Sequence, residues 1–87
     1  MKILFEEQGW QDYTFWLETN HKIVRKINGI IKDITREPFS GIGKPEPLKH
    51  QLAGYWSRRI DAQHRLVYEI NGDIITIIQC RLHYSEI

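Results

Sequence analysis

The sequence lacks the features that define several large classes of protein. Its single cysteine, Cys80, allows no intrachain disulfide and no cysteine-ligated zinc site. No stretch approaches the run of about 18 apolar residues that a membrane-spanning helix needs, so we expect no membrane association. The opening residues MKILFEE turn acidic too early for a secretory signal peptide. We therefore expect a protein of the cytoplasm, where thiols stay reduced.

The chain also carries little net charge, but its charges are unevenly distributed. The formal net charge is +1 over 87 residues, a length that predicts one domain, residues 1–87, with one core. Residues 44–65 hold only two acidic side chains, Glu46 and Asp61, against five basic ones: Lys44, Lys49, Arg58, Arg59 and Arg65. Such a local excess attracts phosphate, although on charge alone a solvated surface is the simpler interpretation.

Two helices are predicted in the first half of the chain, after a short strand over residues 2–7. Residues 9–20 place apolar side chains at helical spacing, and Asn20 is suited to cap the helix that follows. That second helix has one continuous apolar stripe, formed by Ile23, Val24, Ile27, Ile30, Ile31 and Ile34. Pro38 ends it at or before the preceding residue. Because their connection is so short, the two helices must form an antiparallel hairpin.

The second half of the chain changes to the two-residue period of β-strands. Residues 38–54 are irregular, with one short strand near Leu48. Three further strands are predicted over residues 55–60, 64–70 and 73–82. Their connections are short, and one is the strong hairpin signal Asn71-Gly72, so they run antiparallel. The predicted fold class is therefore α+β, an antiparallel sheet of four to five strands with a two-helix hairpin packed on one face.

Alternation within these strands assigns side chains to the two faces of the sheet. The predicted core between helices and sheet contains Ile23, Ile27, Ile30, Ile31, Ile34, Leu66, Tyr68, Ile78 and Leu82. The opposite face holds Ile75 and Ile77 in its apolar part. Its basic part consists of Arg59, Arg65, Arg81 and His83. Arg58 shares the parity of Trp56 and Ile60, so we expect it at the sheet rim, or else the register is off by one residue.

The stretch GKPEPLKHQL, residues 43–52, holds one carboxylate unusually firmly. Pro45 and Pro47 flank Glu46 and keep it on stiff, extended backbone. A solvated loop needs no such rigidity, whereas a carboxylate that must meet a particular proton does. Glu46 is therefore a candidate general base.

These residue types together match the needs of RNA cleavage without a metal. The reaction requires a base for the 2′-hydroxyl proton, an acid for the departing 5′-oxygen and cations around the phosphorus. Glu46 is the candidate base, His83 the candidate acid and Arg65 the main cation. Tyr84 offers a ring on which a base could stack. Further candidates at the phosphate are Lys44, Lys49 and Arg59.

Each of these residues also has a simpler interpretation. Glu46 could be a solvated loop carboxylate, His83 a surface histidine and Arg65 a rim arginine. His50 and His64 match no ligand spacing and are interpreted as structural or RNA-facing. No metal or cofactor is expected, since the sequence has neither clustered carboxylates nor a Cys/His ligand spacing. A non-catalytic RNA- or ribosome-binding module and a pure interaction protein therefore stay open as alternatives.

A set of motifs runs along nearly the whole chain. In order, they are KIVRKINGIIKDI, KPEPLK, SRRI, HRLVY and CRLHY. Together they resemble the Txe/YoeB family of bacterial toxins in the RelE superfamily. The resemblance implies a RelE-like, microbial-ribonuclease-like fold and a ribosome-dependent endoribonuclease that cuts mRNA in the ribosomal A site. It also implies a cognate YefM-like antitoxin that holds the toxin inactive, and it allows a homodimer.

The resemblance also assigns roles to residues. It makes Glu46 of KPEPLK the general base and identifies Arg65 of HRLVY as part of the catalytic set. His83 and Tyr84 form the late His-Tyr pair, at which chains of the family tend to end, whereas residues 85–87 follow here. Supporting positions at phosphate are matched by Arg59 and Lys49. An inactive toxin kept as an interaction protein remains the alternative.

Overall fold

Residues 1–83 are described by a computed structural model, in which five strands form one sheet and two helices cover one of its faces. In chain order the elements are β1 (Lys2–Phe5), α1 (Glu7–Thr19), α2 (His21–Arg36), β2 (Glu46–Pro47), a 3₁₀ turn (His50–Leu52), β3 (Trp56–Arg59), β4 (Arg65–Asn71) and β5 (Ile74–Gln79). The strands lie side by side in the order β1-β5-β4-β3-β2. The predicted α+β class, with a helix pair on one sheet face, is confirmed.

The prediction of a purely antiparallel sheet is wrong at one edge. Strands β2 to β5 are antiparallel, but β1 runs parallel to β5, with Lys2 opposite Ile74 and Phe5 opposite Ile77. Parallel pairing needs a long crossover, and the rest of the fold between β1 and β5 supplies it. The short connections seen in the sequence fix only the directions of the strands that they join, so they left the direction of β1 undetermined.

The helix pair forms as the sequence predicts. The Asn20 side chain caps α2 by accepting the backbone N–H groups of Lys22 and Ile23 at 3.1 and 3.3 Å. Helix α1 lies directly on β5, because a Cβ at Gly9 would collide with the carbonyl oxygen of Ile77. Glycine at position 9 therefore sets how closely α1 approaches the sheet.

The apolar stripe of α2 packs on the sheet and forms the main core. Six of the nine predicted core residues are buried, namely Ile27, Ile30, Ile31, Ile34, Leu66 and Tyr68. Ile23 is only half-buried and packs against the edge of the cluster. The main core also contains Ile75, Ile77 and Cys80 of β5 and the residue after it.

The predicted orientation of β5 is wrong over most of its length. Ile75 and Ile77 face the helices, not the opposite face, and Ile78 turns away from them. A bulge explains the change of parity, because the register steps from Val67 opposite Gln79 to Tyr68 opposite Ile77 and leaves Ile78 unpaired. Past the bulge Cys80 faces the helices as predicted, whereas the predicted core residue Leu82 is 49% exposed.

A second, smaller core covers part of the helix-free face of the sheet. We call it the small cluster; it consists of Leu48, Leu52 and Val67, with Tyr55 and Ile78 packed against them. Its members join the chain around the 3₁₀ turn to β4 and β5. The segment that follows Glu46 is thus folded back onto the sheet instead of extending into solvent.

Over residues 1–83, no helix is both long enough and apolar enough to cross a membrane.

The main core generates a stability prediction. Ile27 is 0% exposed between α2 and the sheet, so Ile27→Ala should lower the free energy of unfolding by about 2–4 kcal/mol by leaving a cavity. Ile42→Ala is the matched control, since that side chain is 52% exposed and should change stability by less than about 0.5 kcal/mol. Urea unfolding of both variants measures the difference, and equal losses would contradict the packing described.

Candidate functional site

The loop that leads to Glu46 is organised by a buried arginine. Arg58, in the middle of β3, points to the helix side and is 0% exposed. Its partners are Asp33 Oδ2 at 2.6 Å, the Tyr68 hydroxyl at 3.2 Å, and the carbonyl oxygens of Glu37, Ser40 and Ile42 at 2.7, 3.0 and 3.2 Å. A buried guanidinium is tolerated only when its charge and its donors are both matched, as they are here.

Both explanations that the sequence suggested for Arg58 are wrong. The register keeps Arg58 opposite Leu66, so the strand has not slipped, and full burial excludes the rim. The parity of Arg58 with Trp56 and Ile60 was a correct signal for a position facing the helices. The sequence pattern could not show that Arg58 pairs with the carboxylate of Asp33, because Asp33 lies 25 residues earlier, on α2.

The same network fixes the backbone between α2 and β2. Asp33 Oδ2 also accepts the Ile42 N–H at 3.0 Å, and the Tyr68 hydroxyl donates to the Pro38 carbonyl at 2.7 Å. Gly41 has φ of +127°, and a Cβ there would clash with the Asp33 carboxylate. Burial raises the pKa of the Tyr68 phenol, so its hydroxyl keeps the proton that it donates.

Glu46 lies at the edge of the sheet, held from both sides along the chain. In β2 it pairs with Ser57 of β3, and the missing N–H of Pro47 costs little because β2 is an edge strand. Before it, the Gly43 carbonyl accepts the Arg59 N–H at 2.6 Å. After it, Leu48 is buried in the small cluster. The Glu46 side chain itself is exposed, so it is available to a ligand.

Two of the predicted cations share the face on which Glu46 lies. The register sets Glu46, Ser57 and Val67 side by side across three strands, and Arg59 lies opposite Arg65 two positions further along β3 and β4. Residues directly opposite, or two positions apart, point to the same face of a sheet. This is the face without helices, on which the sequence predicted Arg59 and Arg65. The structure adds Glu46, which was predicted only to lie on a loop beside the sheet.

The Arg65 guanidinium is held by one of its terminal nitrogens. Nη1 donates to the carbonyl oxygens of Asp61 at 3.0 Å and His64 at 3.2 Å. Within residues 1–83, Nε and Nη2 have no hydrogen-bond partner. An arginine held on one side, with the other donors of its fork unused, is preorganised to bind an oxyanion.

The segment after β5 is fastened to α1 by its backbone. Asp12 Oδ2 accepts the Cys80 N–H at 3.0 Å, and the Trp16 indole N–H donates to the Cys80 carbonyl at 2.9 Å. Arg81 lies over the ring of Phe15 at 3.8 Å from its centroid, so its predicted place among the basic residues of the helix-free face is wrong. Burial, with the Asp12 charge nearby, raises the pKa of the Cys80 thiol to about 12 and makes it a poor nucleophile.

Leu82 brings this segment back to the start of β4. Its φ of +61° is unusual for a residue with a side chain and costs roughly 1–2 kcal/mol. The Leu82 carbonyl accepts the Arg65 N–H at 3.0 Å, and its own N–H donates to His64 Nδ1 at 2.7 Å. His83 follows directly, is exposed, and lines a shallow pocket of about 290 Å³ with Asp12 and Gln8 of α1. Neither Arg59 nor Arg65 lines this pocket, so the predicted grouping of His83 with them stays a prediction.

Lys44, Lys49 and Tyr84 are the remaining predicted site residues. Lys44 and Arg59 line one groove of about 670 Å³ together with Lys26 of α2. Lys49 is exposed at the start of the 3₁₀ turn, and no strand register ties it to the arginines. Tyr84 and residues 85–87 lie outside the described residues. Within residues 1–83, no three His, Cys, Asp or Glu side chains come together as a metal site.

The chain matches known proteins over nearly its whole length. Residues 5–84 match the family described as YoeB-like toxin of bacterial type II toxin-antitoxin systems. The chain belongs to this family. Toxin YoeB of Escherichia coli O6:H1 is 57% identical to it over 84 residues, which cover 97% of this chain and 100% of that protein.

Solved structures of YoeB-like toxins share the fold. The YoeB/ParE toxin from Agrobacterium tumefaciens superposes with a TM-score of 0.94 at 51% identity, covering 97% of this chain and 100% of that one. A Staphylococcus aureus YoeB in complex with YefM gives a TM-score of 0.90 at 46% identity, covering 97% and 98%. A YoeB dimer from the same organism is similar to the same degree, with a TM-score of 0.90.

Several residues that build the site of this YoeB-like toxin had no signal in the sequence. Asp12 and Trp16 lie within the first predicted helix but were assigned no role, yet they hold Cys80 by its backbone. His64, interpreted as structural or RNA-facing, packs edge-on against Trp16 at 4.9 Å and bonds Leu82. These contacts join residues more than 15 positions apart, so they cannot be predicted from local periodicity.

The Arg58 network predicts an acid-sensitive contribution to stability. Hydrogen bonds from the Arg58 side chain and the Ile42 N–H lower the pKa of Asp33 below its ordinary 3.8. The folded state therefore favours the carboxylate, so the stabilisation is complete above about pH 3.8 and is lost as the pH falls through the lower folded value. The wild type should be more stable than Asp33→Asn, and this difference should shrink as the pH falls below 3.8.

Urea unfolding over a pH series measures this difference. Asp73→Asn is the matched control, because its carboxylate is 77% exposed and Arg58 does not contact it. A deficit of Asp33→Asn that stays constant down to the acid end of the series would contradict the assigned Asp33–Arg58 interaction.

Proposed function

We propose that this toxin is a ribosome-dependent endoribonuclease that cleaves mRNA in the ribosomal A site. The observation that carries the proposal is the grouping of one exposed carboxylate, Glu46, with Arg59 and Arg65 on the helix-free face. A base and two cations on one rigid sheet are what attack on a phosphodiester requires. Membership in the YoeB-like toxins supports the same conclusion.

In the proposed reaction the chain's own side chains move both protons. Glu46 accepts the proton of the 2′-hydroxyl, whose oxygen attacks the adjacent phosphorus. Arg65, through its unused Nε and Nη2 donors, stabilises the charge on the phosphoryl oxygens, with Arg59 assisting. His83 protonates the 5′-oxygen as its bond to phosphorus breaks. The remaining assistants are Lys44 and Lys49 at phosphate and Tyr84 as a stacking ring.

The reaction proposed here is metal-independent and needs the ribosome. The chain supplies a general base, a general acid and cations, so no metal is required to generate the nucleophile. Its site is an open sheet face rather than a deep cleft, so the protein alone orients a flexible RNA poorly. Orientation supplied by the ribosome can contribute several kcal/mol to the rate acceleration.

The proposed reaction predicts the chemistry of the products and the effect of losing Glu46. Cleavage of ribosome-bound mRNA should leave a 2′,3′-cyclic phosphate or 3′-phosphate and a 5′-hydroxyl, because the attacking atom is the neighbouring 2′-oxygen. In single-turnover assays Glu46→Gln should slow cutting by at least about 10² while ribosome binding stays unchanged. His83→Ala should behave in the same way.

Glu69→Gln provides the matched control for Glu46. Glu69 lies on the same face of β4 as Arg65 but four positions along the strand, opposite Thr76, so its loss should change the rate by less than about threefold. A 5′-phosphate product would mean attack by water and would overturn both proton-transfer roles. Near wild-type cutting by both Glu46→Gln and His83→Ala would exclude these side chains as the base and the acid. A wild type that binds the ribosome without cleaving mRNA would instead favour a module that only binds RNA or the ribosome.

The proposal includes neutralisation by a YefM-like antitoxin in the cytoplasm. The S. aureus relative was solved in complex with YefM and also as a dimer, which supports a protein partner and allows self-association here. A cationic site made for RNA phosphates also suits an acidic peptide. We propose that the antitoxin covers Arg65 or displaces His83 and Tyr84.

Neutralisation is tested with the protein encoded by the reading frame directly upstream. Stoichiometric addition of that protein should abolish ribosome-dependent cleavage and shift the NMR signal of the Arg65 side chain. A lysine-rich protein of the same length is the control and should do neither. Cleavage that continues undiminished while the partner is demonstrably bound would contradict this part of the proposal.

A further inference from the structure

The segment that carries His83 is anchored by a residue outside the proposed reaction. His64 Nδ1 accepts the backbone N–H of Leu82 at 2.7 Å, one residue before His83. The ring of His64 packs edge-on against Trp16, with 4.9 Å between ring centroids. The main chain of His64 is held as well, because Asp61 Oδ1 accepts its N–H at 2.7 Å. These contacts hold the imidazole in the position from which Nδ1 accepts the Leu82 N–H.

The backbone of Leu82, which His64 holds, has a conformation that is unfavourable without supporting contacts. Leu82 has φ of +61°, in the left-handed region that side chains disfavour. Its N–H is held by His64 and its carbonyl by the N–H of Arg65. The residue before β4 and the first residue of β4 thus hold both sides of Leu82. Strained backbone persists only where the surroundings over-determine it, and it is concentrated at functional sites.

An acceptor at Nδ1 also defines the chemical state of the ring. A neutral imidazole has one donor and one acceptor nitrogen, so accepting at Nδ1 requires the hydrogen at Nε2. A protonated ring would present a donor to the Leu82 N–H and could not form this bond. In this bond His64 therefore acts as a hydrogen-bond acceptor.

We propose that His64 is a positioning residue, which clamps Leu82 in its left-handed conformation and thereby fixes the point from which His83 continues the chain. The effect on rate rests on the proposed function, whereas the clamp itself does not. In this role His64 need not touch the RNA or the reacting atoms. It acts through Leu82 on the acid, while its carbonyl accepts from Arg65 Nη1 at 3.2 Å on the side of the cation. One residue thereby joins the proposed acid to the proposed phosphate-binding arginine.

A matched pair of variants isolates the acceptor. His64→Asn and His64→Leu have nearly the same shape and both remove the ring from Trp16, but only asparagine keeps an acceptor near the Nδ1 position. In single-turnover cleavage on the ribosome, His64→Leu should be at least about tenfold slower than His64→Asn. Ribosome binding should be equal for the two, since positioning of the acid acts on the chemical step.

A second measurement uses the wild-type protein, so it requires neither enzymatic activity nor a variant that folds correctly. In the wild-type chain labelled with ¹⁵N, a scalar coupling across the hydrogen bond should connect the Leu82 amide nitrogen to His64 Nδ1. The Nδ1 shift should be that of an unprotonated nitrogen and the Nε2 shift that of a protonated one. Absence of the coupling, or a hydrogen on Nδ1, would overturn the clamp whatever the enzyme does.

The outcomes separate this inference from the proposed function. If the wild type shows the coupling but does not cleave RNA, the proposed function fails and the clamp stands. If the wild type cleaves and the two variants cut at equal rates, His64 has only a structural role and the positioning role is wrong. A loss in His64→Leu that is matched by an equal loss of ribosome binding would likewise count against it.

Discussion

Satisfying the buried positive charge of Arg58 constrains the rest of the structure. Removing a charged side chain from water costs several kcal/mol unless a counter-charge and hydrogen bonds replace the solvent. Asp33 supplies the charge, and the carbonyl groups of residues 37–42 supply most of the remaining acceptors. The loop between α2 and β2 has no regular structure, yet another path would deprive Arg58 of these carbonyl acceptors. The route by which the chain reaches Glu46 is therefore set by electrostatics more than by apolar packing.

The two ends of the proposed site are held by the same kind of interaction. At one end Arg58 binds carbonyl groups of the loop that leads to Glu46, and at the other Asp12 and His64 accept backbone N–H groups of the segment that leads to His83. Side chains from regular elements thus bind the backbone of irregular ones. An 87-residue chain has little apolar area to spare for such segments, and directional hydrogen bonds define their conformation with few residues.

The sequence predicted best those elements whose burial is one-sided. The stripe of α2 and the shared face of Arg59 and Arg65 follow from periodicity, because one side of each element meets the core and the other does not. Strand β5 is different: Ile75 and Ile77 pack under the helices while Ile78 packs in the small cluster, so apolar residues are wanted on both faces. Hydrophobic alternation therefore does not distinguish the two faces of β5, and the bulge at Ile78 could not be predicted from the sequence. Arg58 and His64 depend on partners distant in sequence, which one chain without its fold does not reveal.

The small cluster explains why Glu46 and Arg65 keep a fixed relation although they lie on different strands. Leu48 follows Glu46 by two residues, Val67 follows Arg65 by two, and both belong to this cluster. Side chains two apart on a strand point the same way, so packing Leu48 with Val67 aligns the two polar residues on the same face. Pro45 and Pro47 limit the backbone freedom of Glu46, at roughly 1–2 kcal/mol of ordering entropy per residue, but they cannot by themselves choose its direction. The packing of Leu48 with Val67 sets the direction of the Glu46 side chain. The apolar part of the helix-free face is therefore a structural component of the polar site beside it.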